Sequence, residues 1–149
     1  MLKIIRSDST NNDFIELVKD LDQYLAEKDG DEHSFYAQYN KISMLQHVVI
    51  AYENETAVGC GAIKDFNSES MEVKRMFTLP SQRGKGIASK ILQNLENWIA
   101  ELGYKTCVLE TGIRQQEAVE FYKKSGYLTT PNYGQYQGIQ NSLCFEKKI

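Results

Sequence analysis

Midway along the chain, residues 82–88 read Gln82-Arg83-Gly84-Lys85-Gly86-Ile87-Ala88, a run whose composition suits an anion. Gly84 and Gly86 let the backbone come close to a ligand with no Cβ in the way, and Arg83 and Lys85 add positive charge. From here Ile87, Ile91, Leu95, Trp98 or Ile99, and Leu102 recur at helical spacing. A helix start carries N–H groups without intrahelical partners and a partial positive charge, so a helix opening at Gly86 would hold a phosphate or pyrophosphate there. Two related phosphate-binding motifs match the run less well. A P-loop requires Gly-Lys followed by Ser or Thr after a longer loop, and Lys85 is followed by Gly86. A dinucleotide fingerprint requires Gly or Ala where Ser89 stands and normally opens the first βα unit. A basic, glycine-containing helix start without any ligand also fits this short pattern taken alone.

The elements that would position this run follow from periodicity. Residues 2–6 read as a strand, and Asn11 or Asn12 can cap a helix carrying Phe14, Leu17, Val18, Leu21 and Leu25 on one face and ending at Gly30. A second short helix is expected from His33 to Ile42. Strand-like runs at 47–53, 56–65 and 71–78 are separated by Glu53-Asn54-Glu55 and Asn67-Ser68-Glu69-Ser70, the pattern of an antiparallel meander. After Pro80 comes the helix just described, closed by Gly103. Then follow a strand at 105–110, a helix from Gln115 to Ser125 stopped by Gly126, and strands at 127–130 and 142–148 joined by a turn-rich segment from Pro131 to Gly138. The order β-α-α-β-β-β-α-β-α-β-β predicts an α/β fold, a mixed sheet with helices on both faces.

Composition narrows the partners. A chain of 149 residues reads as one domain, 1–149, able to bury its own core. Its net charge of −3, without a block of like charge, argues against nucleic acid as the main partner. Cys60, Cys107 and Cys144 are odd in number and widely spaced, and His33 and His47 lie near none of them. That pattern argues against zinc and against a disulfide framework, and reads as three small buried hydrophobes. No run has the length of a membrane span or the form of a signal peptide, so the expected location is cytoplasmic.

Arg83-x-x-Gly86-x-Ala88 is similar to the acetyl-CoA signature of the GCN5-related N-acetyltransferases (GNAT). Glu72-Val73-Lys74-Arg75-Met76-Phe77-Thr78-Leu79-Pro80 resembles that family's preceding strand, which splays from its neighbour through a bulge. Leu109-Glu110-Thr111-Gly112, Glu117-Ala118 and Phe121-Tyr122-Lys123-Lys124-Ser125-Gly126-Tyr127 resemble its second cofactor-contacting unit. The resemblance runs over roughly residues 47–148 and implies a mostly antiparallel central sheet of about six to seven strands.

It also implies a chemistry, acetyl transfer from acetyl-CoA to an amine, with no metal. The amine must lose a proton, the carbonyl oxygen gathers charge and needs fixed donors, and the leaving thiolate gains from a proton. The bulged strand near Met76, Phe77 and Thr78 would face the carbonyl and the pantetheine arm. Arg83, Gly84, Lys85, Gly86, Ile87, Ala88 and Ser89 would hold the pyrophosphate. Tyr122 would be the general acid, its phenol protonated at a reference pKa of about 10, although Ala118 and Tyr122 also share a helical face that could simply pack. Glu72 would be the general base, with Glu110 or solvent as rivals. The family's asparagine contact to the cofactor arm has its nearest counterpart in Gln115-Gln116, and Gln116 is taken for that role.

On the acceptor side His33, Tyr36, Tyr39, Asn40 and Tyr133 stand in segments mixing acids, amides and tyrosines, which suit a small polar cation, and Glu110 at the end of its strand would point into the same cleft. The expected activity is acetylation of a small-molecule amine or amino acid. The alternatives are a protein amine, a longer acyl donor, and a non-catalytic acetyl-CoA sensor. Family members are often dimers, so a homodimer is one open state.

Overall fold

The computed structural model describes residues 1–29 and 45–149. The expected helix at 33–42, the stop at Gly30, and His33, Tyr36, Tyr39 and Asn40 lie outside the described residues. The described elements are β1 (Leu2–Ser7), α1 (Asn12–Asp29), β2 (His47–Glu53), β3 (Thr56–Asp65), β4 (Ser70–Thr78), α2 (Ile87–Glu101), β5 (Thr106–Gly112), α3 (Gln116–Lys124), β6 (Leu128–Thr130) and β7 (Ser142–Lys148). The strands form one sheet in the order β1-β2-β3-β4-β5-β7-β6. Every neighbouring pair is antiparallel except β4 and β5.

Two apolar layers cover the two faces, and the alternation of strand residues assigns each side chain to one of them. Val48 and Ile50 of β2 pack with Phe14, Leu17, Val18 and Leu21 of α1. Their neighbours Val49 and Ala51 pack on the other face with Ile87, Ile91, Leu92, Leu95 and Ile99 of α2. Asn11 caps α1, its Oδ1 accepting from the N–H groups of Asp13 (2.9 Å) and Phe14 (3.2 Å). The three cysteines are buried and unpaired by disulfides, and burial pushes the Cys60 and Cys107 thiols up to about 12.

One buried polar cluster joins α2, α3 and β7. Glu96 of α2 accepts from the Tyr127 hydroxyl (2.8 Å) and from the Lys147 ammonium (3.1 Å), which also donates to the carbonyl of Ser125 at the end of α3 (2.9 Å). Each charge there has a partner, which is what makes its burial tolerable. No described helix is long and apolar enough to cross a membrane.

α2 lies close on β3 because the strand carries glycines beneath it. A Cβ on Gly59 would sit 2.9 Å from Ile91 Cδ1 and 3.0 Å from the carbonyl oxygen of Phe77. The backbone oxygen cannot yield as a flexible side chain would. Gly59→Ala is therefore expected to cost about 1–3 kcal/mol by overpacking, measured as a fall in melting temperature of roughly 2–4 °C per kcal/mol.

Candidate active site

The site begins with a break in the sheet. β4 pairs with β5 only through Ser70, Glu72 and the residue between them, opposite Thr106–Val108. β5 continues to Gly112 entirely on β7, so the upper halves of β4 and β5 diverge. The cause is local. Along β3, Cys60 faces Phe77 and Ala62 faces Lys74, so Arg75 and Met76 together stand opposite Gly61. Arg75 takes the left-handed conformation, φ 59°, and its carbonyl accepts from the Cys60 thiol at 3.4 Å. One extra residue in a strand is a bulge, and it reverses the alternation beyond it. Met71 and Val73 pack on the α2 face, whereas Phe77 packs on the α1 face.

On one side of the gap lies a groove of about 390 Å³, within the roughly 300–1,000 Å³ of common ligand pockets. Its walls include Met76, Phe77 and Thr78 from β4, Phe121 and Tyr122 from α3, and Arg83, Gly84, Gly86, Ile87, Ala88 and Ser89 at its end. Gly84 and Gly86 hold φ 81° and 77°, values that side-chain-bearing residues adopt at a cost. A Cβ on either would meet nothing within 4 Å, so the loop is open outward. Lys90 N–H donates to Gly86 O at 3.2 Å, leaving the helix-start N–H groups ahead of it aimed out of α2. Arg83 Nε donates to Thr78 O (3.1 Å), and its guanidinium lies 4.9 Å from the Tyr24 ring centre.

On the other side is a smaller cavity of about 120 Å³, whose walls include Glu72, Lys74, Arg75, Glu110, Thr111 and Tyr136. Glu72 Oε2 accepts from the Tyr133 hydroxyl at 2.6 Å, and its Oε1 lies 3.6 Å from the Lys74 ammonium. Arg75 pairs with Asp22 of α1 at 2.7 Å. Burial, then the Glu72 charge, raises the Tyr133 phenol well above its ordinary value. The two spaces share Leu21, Met76, Gln115, Ala118 and Tyr122 as walls. Tyr122 stands where they meet, its ring packed against Phe121, Tyr127 and Phe145. Burial pushes its phenol well up as well, so it stays protonated.

The Acetyltransferase (GNAT) family model matches residues 11–127. The chain belongs to this family. GNAT membership agrees with a relative in Azospirillum brasilense, named IAA acetyltransferase, which is 32% identical over 98% of this chain and 97% of its own length. A solved Klebsiella pneumoniae protein named as a candidate acyl-CoA N-acyltransferase superposes with a TM-score of 0.83 at 29% identity, covering 99% of this chain and 97% of its own. A GNAT acetyltransferase of Elizabethkingia anophelis with acetyl-CoA bound shares the fold at a TM-score of 0.73 and 16% identity, covering 99% of this chain and 98% of its own.

Within this GNAT fold most of the expected site residues converge. Glu72 and Glu110 line one cavity, as strand alternation anticipates, and Tyr122 lines both spaces. Two differ from expectation. Gln116 is exposed on the first turn of α3, and it is Gln115, just before the helix, that lines both spaces. Lys85 forms no wall of the groove and instead donates to Gln82 Oε1 at 3.0 Å. Tyr133 reaches the site through Glu72. Leu21, Tyr24 and Asp22 of α1 join the site as well, although helical spacing marks them only as positions on or beside a core face. Among the described residues no group of His, Cys, Asp and Glu is placed to hold a metal.

The Tyr133 hydroxyl satisfies a carboxylate whose side chain is 9% exposed. Tyr133→Phe should cost about 1–3 kcal/mol for the hydrogen bond lost by a buried acceptor, and urea unfolding of the two proteins side by side measures it.

Proposed function

We propose that this acetyltransferase moves the acetyl group of acetyl-CoA directly to the primary amine of a small molecule. One observation carries the reading: a groove ending in a glycine-opened helix start meets a compact cavity holding carboxylates, with Tyr122 at the junction. The groove suits acetyl-CoA. Gly84 and Gly86 open the backbone where a Cβ would stand, the N-terminus of α2 offers N–H groups and positive dipole to a pyrophosphate, and Arg83 adds charge at the wall. The arm would run along Met76, Phe77 and Thr78 toward Tyr122, beside Gln115. Bound there, acetyl-CoA supplies the activated acetyl group.

The remaining steps belong to the chain's own residues. Tyr122 holds a proton on its hydroxyl, kept there by burial, and delivers it to the departing sulfur. Glu72 draws the proton from the acceptor amine through water, ahead of Glu110, because Tyr133 and Lys74 fix its carboxylate in place. The size of the acceptor cavity, about 120 Å³, favours a small amine over a peptide segment. Release of free thiol with a panel of small amines tests the activity, and a chain that binds acetyl-CoA but acetylates none of them would reverse the reading.

Gly86→Asp puts a carboxylate at the cradle. The left-handed φ of 77° at Gly86 should cost Asp about 1–2 kcal/mol, but nothing lies within 4 Å of the new Cβ, so the protein should fold with a lowered melting temperature while acetyl-CoA affinity collapses. Calorimetry with circular dichroism as control measures both.

Tyr122→Phe keeps the packed ring and removes one oxygen. Turnover should fall toward the low end of the about 10²–10⁴-fold typical of general acid catalysis, with the acetyl-CoA dissociation constant unchanged. Single-turnover rates on the folded variant decide between this role and simple packing.

A further inference from the structure

We infer that the acceptor carries a carboxylate close to its amine, and that Arg75 is the group that binds it. The inference takes the transfer reaction above as its basis and narrows the acceptor to a compact amino acid.

The cavity beyond Tyr122 is walled by charges of both signs, Glu72 and Glu110 against Lys74 and Arg75. A simple amine would match only the carboxylates. The Lys74 ammonium already faces Glu72 at 3.6 Å, so the cation turned elsewhere is Arg75. Its side chain is 4% exposed, on a residue at the bulge of β4. Asp22, one of its partners, is placed differently: it sits on α1 with 48% of its side chain exposed and accepts from one terminal nitrogen, Nη1, at 2.7 Å.

A buried guanidinium that loses its counter-charge is strongly disfavoured, whereas a half-exposed aspartate returns to water easily. The pair is therefore asymmetric: Arg75 requires a carboxylate, but Asp22 can be exchanged for another. A guanidinium fork also matches a carboxylate better than an ammonium does. Asp22 fills this place when no acceptor is bound, and the acceptor's carboxylate takes it during turnover. The amine of the same molecule then lies among Glu72 and Glu110. A second feature of the wall agrees: the Thr111 hydroxyl is buried in the same lining with no hydrogen-bond partner among the described residues, and a polar ligand would supply one.

The test compares glycine, alanine, β-alanine and 4-aminobutyrate with the carboxamide of each, as acceptors for the full chain at saturating acetyl-CoA. The wild-type protein should favour at least one acid over its amide by about ten- to a hundredfold in kcat/KM, the loss expected for a hydrogen bond to a charged group. Arg75→Gln should bring that ratio close to one while the acetyl-CoA dissociation constant holds. Asp22→Asn, which weakens the competing carboxylate, should lower KM for the acid and leave KM for the amide alone. If Arg75→Gln fails to fold, the Asp22→Asn shift decides. A wild-type ratio near one, a ratio unmoved by Arg75→Gln, or a raised KM for the acid in Asp22→Asn overturns the inference while leaving amine acetylation intact. Failure of every acid and amide, in protein that still binds acetyl-CoA, overturns the transfer reading itself and this inference with it.

Discussion

The extra residue in β4 at Arg75 is the constraint on which the rest of the site depends. A strand that kept its register would pair with β5 along its whole length and close the sheet. Instead Arg75 and Met76 share one place opposite Gly61, the strand twists, and β4 leaves β5 after Glu72. The gap creates both spaces and gives them common walls. A non-glycine residue in the left-handed region costs about 1–2 kcal/mol. Here it is offset by contacts that need this geometry: the Cys60 thiol on the Arg75 carbonyl, the ion pair to Asp22, and Phe77 turned into the α1 layer.

Two rigid supports face each other across that gap. On one side α2 is held against β3 by an apolar stripe over glycines, so that its N-terminus, with Gly84 and Gly86 in left-handed turns, arrives at the end of the groove. On the other, α3 is tied to α2 and β7 through Lys147, whose ammonium joins the Ser125 carbonyl to Glu96, and through Tyr127. Tyr122 has little freedom between Phe121, Tyr127 and Phe145. Groups that must hold a proton or an anion in one place work best when their own neighbours lock them, and both supports are built from the sheet outward.

The electrostatics divide along the same line. The groove offers backbone donors, a helix terminus and the Arg83 guanidinium resting on Tyr24. The smaller cavity concentrates side-chain charge of both signs in a confined place. There the phenols of Tyr122, Tyr133 and Tyr136 are all pushed upward, first by burial. Tyr133 and Tyr136 thus stay neutral near the charges of Glu72 and Glu110, and Tyr133 donates to Glu72.

What the chain determines by itself is whatever repeats along it. The apolar periods of α1 and α2, the meander from β2 to β4, the asparagine cap and the glycine-opened start of α2 are all local, and each appears where the residues call for it. The pairing of Glu72 and Glu110 on one face was also legible, because alternation on two strands requires no knowledge of what covers them. The bulge, by contrast, reverses that alternation, and no period announces it, so Arg75 reads as one more strand residue until its φ is known. Gln115 and Gln116 are adjacent and chemically alike, and only where α3 begins decides which of them meets the groove. Tyr133 meets Glu72 across 61 residues of chain and Arg75 meets Asp22 across 53. Contacts of that separation come from how the layers close on one another, a property of the packed sheet and helices together rather than of any segment alone.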